Sequence, residues 1–278
     1  MSTVINQPTS FQLSNGLNMP ALGLGVLKAK EGGEVERAVA AALASGYRSI
    51  DTASIYRNEA GVGAAIKNST IVREDLFLTT KVWNSDQGYQ STLDAFERSL
   101  ERLQTDYVDL YLIHWPVAGK YKETWRALEE LYQSGKAKAI GVSNFQIHHL
   151  KDLMETATIK PMVNQIEMHP ALQQKELLEF ANEHQIRLEA WRPIMMGAVN
   201  DIPALVQIGQ QHGKSPVQVT LRWLIQLGVI VIPKSSNPGR IAQNAGVFDF
   251  ELSPVEMQQI ATLDRGTRLG PDPDNFNF

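Results

Sequence analysis

Four side chains in this 278-residue sequence have the types and spacing to put a proton onto a carbonyl oxygen: Asp51, Tyr56, Lys81 and His114. A phenol has a reference pKa of about 10, so Tyr56 donates a proton at neutral pH only where a neighbouring cation stabilises the phenolate. Lys81 is the candidate cation, Asp51 the carboxylate that keeps it charged, and His114 the hydrogen-bonding group that orients the oxygen. Singly, each has a plainer explanation: a helix cap, a surface aromatic, a solvated loop cation, and a histidine satisfied beneath Trp115. What sets the four apart is that all fall at, or just beyond, the ends of three consecutive predicted strands.

Those strands belong to a regular alternation. Residues 11–19 alternate around Asn15-Gly16 and predict a hairpin with a two-residue turn. Strands then follow at 21–26, at Ile50 up to Asp51, and at 76–83, 108–113, 139–142, 162–166, 187–191 and 229–232. Between them lie helical spacings: Val35, Val39 and Leu43 stopped by Gly46; residues 59–67; Leu93, Phe96, Leu100 and Leu103; Trp125, Leu128 and Leu131 closed by Gly135; Leu150, Leu153 and Met154; Leu177, Leu178 and Phe180. The seventh strand is followed by two helices, near 202–212 and 216–227, and Arg240 opens the last barrel helix. A further helix over 254–263 and an extended tail complete the chain.

Eight strand-then-helix units, most about 25 to 30 residues long, predict an α/β fold of the (β/α)8 or TIM-barrel type. The expected architecture is one domain over residues 1–278, with an N-terminal β-hairpin, two additional helices and a C-terminal tail. Such barrels carry their active sites at the carboxyl ends of the strands, which is where the four residues fall.

Composition narrows the partner. The apolar fraction of 43% allows a large core, and the net charge of -4 argues against nucleic acid or an anionic membrane. With no cysteine there are no disulfides and no thiolate metal sites. The first residues lack a secretory pattern, and no run approaches the roughly 20 apolar residues of a membrane span. A cytoplasmic monomer acting on a small molecule is expected. His148 and His149 read as an exposed helix face, and no histidine pair has zinc-site spacing.

Protonating a carbonyl oxygen is useful when something else delivers a hydride, and a nicotinamide would do so. No Rossmann fingerprint is present: Gly23 and Gly25 follow a strand, but Lys28 stands where a third glycine belongs. The strand ends offer another cradle. Ser143, Asn144 and Gln165 suit a carboxamide, Trp191 offers a flat face for the ring, and Lys234, Ser235 and Arg240 suit a phosphate. Two cations at the last of these favour the 2'-phosphate of NADPH.

Taken together the motifs resemble the aldo-keto reductase family nearly end to end. They are Gly46-Tyr47-Arg48-Ser49-Ile50-Asp51-Thr52-Ala53 with Tyr56 and Asn58-Glu59, Thr80-Lys81-Val82-Trp83-Asn84, Leu112-Ile113-His114-Trp115-Pro116, Gly141-Val142-Ser143-Asn144-Phe145, Asn164-Gln165-Ile166-Glu167 and Ile232-Pro233-Lys234-Ser235. Within the family the chain looks most like bacterial 2,5-diketo-D-gluconate reductases, the tail Leu269-Gly270-Pro271-Asp272-Pro273-Asp274 included. The resemblance implies NADPH-dependent reduction of aldehydes and ketones, including methylglyoxal-like carbonyls. Tyr56 would be the general acid tuned by Lys81 and Asp51, with His114 directing the carbonyl. It also implies adenine contacts from Gln243 and Asn244, and a substrate pocket walled by Trp83, Trp115 and Phe276.

One departure is plain: where the family usually has Ser-Pro-Leu, this chain reads Arg192-Pro193-Ile194-Met195-Met196-Gly197. Two placements are open for Arg192, on the cofactor pyrophosphate or out in solvent, and the two methionines would make an adaptable loop. Two rival readings keep the barrel: a Schiff-base aldolase using Lys81 or Lys234, and a non-catalytic NADPH-binding regulatory subunit.

Overall fold

The computed structural model describes residues 9–276 and residue 278; the leader-free reading of the first residues concerns positions outside that range. The chain opens with a hairpin of β1 (Ser10–Gln12) and β2 (Asn18–Pro20), paired antiparallel. Its turn is a three-residue loop, not the predicted two-residue one. Gly16 N–H donates to the Leu13 carbonyl (2.9 Å), Leu13 N–H donates to the Leu17 carbonyl (2.8 Å), and Gly16 takes φ 88°. Asn15 cannot sit in the tighter turn because its side chain is engaged: Oδ1 accepts from Leu17 N–H at 3.1 Å and Nδ2 donates to the Lys138 carbonyl at 3.0 Å.

From there strand and helix alternate: β3 (Leu24–Gly25), α1 (Gly33–Ala44), β4 (Ser49–Asp51), α2 (Glu59–Lys67), β5 (Phe77–Val82), α3 (Tyr89–Leu103), β6 (Leu110–Ile113), α4 (Tyr121–Gln133), β7 (Ile140–Ser143), α5 (Ile147–Met154), β8 (Val163–Glu167), α6 (Lys175–Glu183), β9 (Arg187–Trp191), α7 (Pro203–His212), α8 (Pro216–Gln226), β10 (Ile230–Val231), α9 (Pro238–Ala245) and α10 (Pro254–Ala261). Strands β3 to β10 form one parallel sheet in sequence order. It closes on itself through parallel bridges Leu22 to Val231 and Gly25 to Lys234, giving the eight-stranded barrel. Strands such as β6, Leu-Tyr-Leu-Ile, are buried on both faces, as the run of apolar residues requires when one face meets the barrel lumen and the other the helices. Among the described residues no helix is long and apolar enough to cross a membrane.

The stagger between strands is what gathers the polar residues. Asp51 is level with Thr79, so Lys81, two residues on, shares its face and reaches it diagonally. Lys81 is in turn level with Leu112, and His114 lies two residues beyond. From β4 to β6 each strand therefore contributes a side chain two residues further along than its neighbour's, part of the shear that closure of a barrel demands. Helix α9 begins at Pro238 rather than at Arg240, with Asn237 capping it by accepting from Arg240 N–H at 3.0 Å. Pro at the first position is preorganised for the helix, which sets the boundary earlier than the charge alone would place it.

Candidate active site

At the carboxyl ends of the strands a cleft of about 820 Å³ runs from Tyr56 and His114 to the start of α9. Its base is an ion pair. Lys81, fully buried, gives its ammonium protons to Asp51 Oδ1 (2.7 Å), Asp51 Oδ2 (2.8 Å) and the Thr52 carbonyl (2.8 Å). Burial works against that charge, but the Asp51 carboxylate, with smaller help from Tyr56 and Glu189, outweighs it and Lys81 is held above its ordinary pKa. The lysine is therefore a fixed ammonium.

Tyr56 ends a single 3-10 turn, Ser54–Tyr56, placed by two anchors. Ser54 Oγ donates to the Lys81 carbonyl (3.0 Å), and Arg57 turns the chain away with φ 54°. Asn58, wholly buried, then locks the loop: it donates to the Val26 and Ala29 carbonyls (2.9 and 3.0 Å) and accepts from Thr52 Oγ1 (2.8 Å). The phenol ring lies with its centroid 5.2 Å from Lys81 Nζ and 5.7 Å from the His114 ring, edge to face.

The phenol pKa departs from expectation in sign. Burial pushes it above 10; Lys81 pulls it down, and Asp51 pushes it up again. Lys81 moderates the phenol without bringing it below its ordinary value, because burial outweighs the ammonium and the Asp51 carboxylate offsets part of its pull. Tyr56 thus holds its proton firmly in the resting protein. Burial, seconded by Lys81, keeps His114 well below the usual imidazole range, so it is neutral, and its Nδ1 has no partner among the described residues.

The remaining predicted residues converge on the same cleft. Ser143 Oγ donates to the Gln165 carbonyl (2.8 Å), while Asn144 Nδ2 donates to Ser143 Oγ (3.1 Å) and the His114 carbonyl (2.9 Å). Asn144 Oδ1 accepts from Trp191 Nε1 at 2.9 Å, which fixes the indole edge. Lys234, Ser235, Arg240, Gln243 and Asn244 line the far end. There Lys234 Nζ donates to Ser236 Oγ (2.9 Å), which donates to Glu34 (2.8 Å). Trp83 and Trp115 wall the near end; Phe276 packs on Trp115 with centroids 5.1 Å apart but is not itself on the cleft wall. Phe278, which the sequence reading did not single out, stacks on Trp83 at 5.8 Å and 8°.

Arg192 lines the cleft at the turn after β9. Its guanidinium donates to the Leu269 carbonyl and lies over the Trp191 ring, 5.4 Å from the centroid.

Glu189 was also missed. It is fully buried, and Gln165 Nε2 donates to both Glu189 Oε2 and Asp51 Oδ2, each at 2.7 Å. A signal existed: a glutamate inside an apolar strand, two residues before Trp191 and so on the same inward face. Burial raises its carboxyl from 4.5 to about 8, with the Asp51 charge adding to the shift and Gln165 and Lys81 opposing it.

The folded value lies above the unfolded one, so the stabilising proton is fully in place below about pH 4.5 and is lost as pH rises towards 8. A single such group contributes a slope of at most about 1.4 kcal/mol per pH unit. Urea unfolding should thus give a smaller unfolding free energy at pH 7.5 than at pH 5.5 (about two units apart), and Glu189→Gln should remove most of that difference. The same loss in the variant would assign the pH dependence to another group.

With this geometry in view, comparison with known proteins is direct. The model of the Aldo/keto reductase family matches residues 21–265. The chain is 57% identical over 275 residues to the glyoxal reductase of Bacillus subtilis (strain 168), covering 98% of this chain and 100% of that one. It is 48% identical to methylglyoxal reductase DkgA of Escherichia coli (strain K12), with 97% and 98% covered. Among solved structures it is similar to a Gox0644 mutant in complex with NADPH, at TM-score 0.93 and 46% identity, with 97% of this chain and 99% of that one covered.

Proposed function

The chain belongs to the aldo/keto reductase family, and from that premise we propose that it reduces small aldehydes and ketones with NADPH, 2-oxoaldehydes such as glyoxal and methylglyoxal first among them. The observation that carries the reading is the buried Lys81–Asp51 pair directly beneath Tyr56, beside a neutral His114. The names of the Bacillus and Escherichia relatives support the substrate class.

The cleft suits the dinucleotide. Lys234 and Arg240 supply positive charge at the phosphate end, and Ser143, Asn144 and Gln165 supply donors and acceptors near the tetrad. Both Gln165 amide protons go to the acid oxygens of Asp51 and Glu189, and its Oε1 has no partner among the described residues, so an acceptor is left for a carboxamide N–H. Gln243 and Asn244 line the same wall and would meet the adenine. NADPH, when bound, supplies the hydride.

The protein's own groups do the rest. His114, uncharged, donates an N–H to the substrate oxygen and aims it at Tyr56. As negative charge builds on that oxygen, Tyr56 gives up its proton, and the phenolate left behind is stabilised by Lys81. Asp51 holds the ammonium in place throughout. A phenol with a raised pKa suits this role: it stays loaded until the oxygen becomes a stronger base than the phenolate.

The test is a carbonyl panel of glyoxal, methylglyoxal and 2,5-diketo-D-gluconate, followed by loss of NADPH and, separately, NADH absorbance. Turnover of the two-carbon and three-carbon dicarbonyls with NADPH is expected. Tight NADPH binding without oxidation by any carbonyl would favour the regulatory-subunit alternative, and borohydride trapping of a lysine adduct without nicotinamide would favour the aldolase.

A further inference from the structure

The tail crosses the Trp191 indole at one peptide unit, and two charged side chains grip that unit from opposite sides. From the end of β8, Glu167 accepts backbone N–H groups of Leu269 (2.7 Å) and Gly270 (3.1 Å to each oxygen). From the turn after β9, Arg192 donates to the Leu269 carbonyl and spreads over the indole. Gly270 lies so close to the ring that a Cβ would sit 2.4 Å from Trp191 Cη2, so no residue with a side chain fits there. Burial raises the Glu167 carboxyl, but the hydrogen bonds from His169, Leu269 and Gly270 together outweigh it and keep the group ionised. Arg192 itself takes φ 52°, a conformation that bulky residues adopt only where the surroundings hold them.

We infer that Glu167 and Arg192 are positioning residues, a clamp that presses the 269–270 peptide onto Trp191 and so fixes the plane of the ring that faces the cleft. This rests on the reading of Trp191 as the surface on which the nicotinamide stacks. The indole is then held at its N–H edge by Asn144, with Gly270 against its far edge and the Arg192 guanidinium over the ring, and it lines the cleft. Closing the clamp and binding the cofactor favour the same ring position. By linkage, whatever factor the clamp adds to cofactor affinity, the cofactor adds to the stability of the clamp.

Glu167→Gln is the discriminating variant, because Glu167 is buried and does not line the cleft, whereas Arg192 does. The glutamine amide turns one donor towards backbone N–H groups and loses at least one of their hydrogen bonds. Arg192→Ser removes the other side of the clamp and serves if the first variant folds poorly. Two quantities are measured without any carbonyl substrate: NADPH dissociation constant by fluorescence titration, and hydrogen exchange of the Leu269 and Gly270 amides with and without NADPH. In the parent protein those amides should be protected, and more so with NADPH. In both variants exchange should rise, and the dissociation constant should increase about three- to tenfold, the scale of one ordinary hydrogen bond lost, and the increase should vanish when Trp191→Ala is present.

Faster tail exchange with an unchanged dissociation constant would overturn the clamp while leaving the stacking role intact. So would an increase that persists in the Trp191→Ala background. A Trp191→Ala variant that binds NADPH as the parent does would instead remove the stacking reading, and the clamp with it.

Discussion

Replacing Tyr56 by Phe is expected to lower the rate of NADPH-dependent carbonyl reduction about a hundredfold or more while leaving the NADPH dissociation constant within about twofold. The substitution removes one oxygen and keeps the ring, so the edge-to-face contact with His114 and the packing above Lys81 survive. What is lost is the proton that a developing alkoxide must receive. General acids contribute about a hundred- to ten-thousandfold, and neither neighbour replaces Tyr56: Lys81 has its protons committed to Asp51 and Thr52, and burial holds His114 neutral. Single-turnover oxidation of bound NADPH isolates the chemical step from product release. A rate within tenfold of the parent would count against Tyr56 as the acid.

Lys81→Met is expected to act on both stability and turnover, and the two effects can be separated. The buried ammonium makes three short hydrogen bonds, so its removal leaves the Asp51 carboxylate without its counter-charge, with the Gln165 amide as its remaining donor, and takes the ammonium donor from the Thr52 carbonyl. Breaking a buried ion pair from one side costs about 3–5 kcal/mol, most of it the stranded charge. Turnover should fall by about a hundredfold or more, because no cation remains to stabilise the phenolate.

In the double variant Asp51→Leu, Lys81→Met, apolar side chains of similar volume replace both partners, so most of the lost stability should return. Activity should not. Urea unfolding at neutral pH and NADPH consumption below the onset of unfolding measure the two quantities independently. If turnover returned along with stability, the pair would be a structural element and the chemistry would have to be reassigned.

Much of the architecture was legible because its causes are local. Helix α2 runs over the expected residues 59–67 and β9 over 187–191, since apolar spacing at the helical and strand periods depends only on near neighbours. Less legible were features in which a side chain contests the local rule. Asn15 prefers the Lys138 carbonyl to a tight turn, and Pro238 starts its helix ahead of Arg240. Among site residues, Trp83, Trp115, Ser143, Asn144, Gln165 and Trp191 were found at strand ends and do meet at one cleft. Glu189 was hidden because the strand pattern around it was read for its apolar residues, although its position on the inward face was available. Arg192 was visible as an oddity, but its partner Leu269 lies 77 residues further on.

The sequence by itself determined which residue types stand at the carboxyl end of each strand, because alternation and strand-helix order are written in short stretches. Only the tertiary structure decided what those residues experience. Desolvation and charge add up over groups brought together from far apart in the chain, such as Gln165 and Asp51 at 114 residues' separation. That sum raises the Tyr56 phenol where a pairwise reading with Lys81 lowers it, and makes Glu189 a buried acid near pH 8. It also binds Arg192 to the tail, which no neighbour in sequence could have indicated.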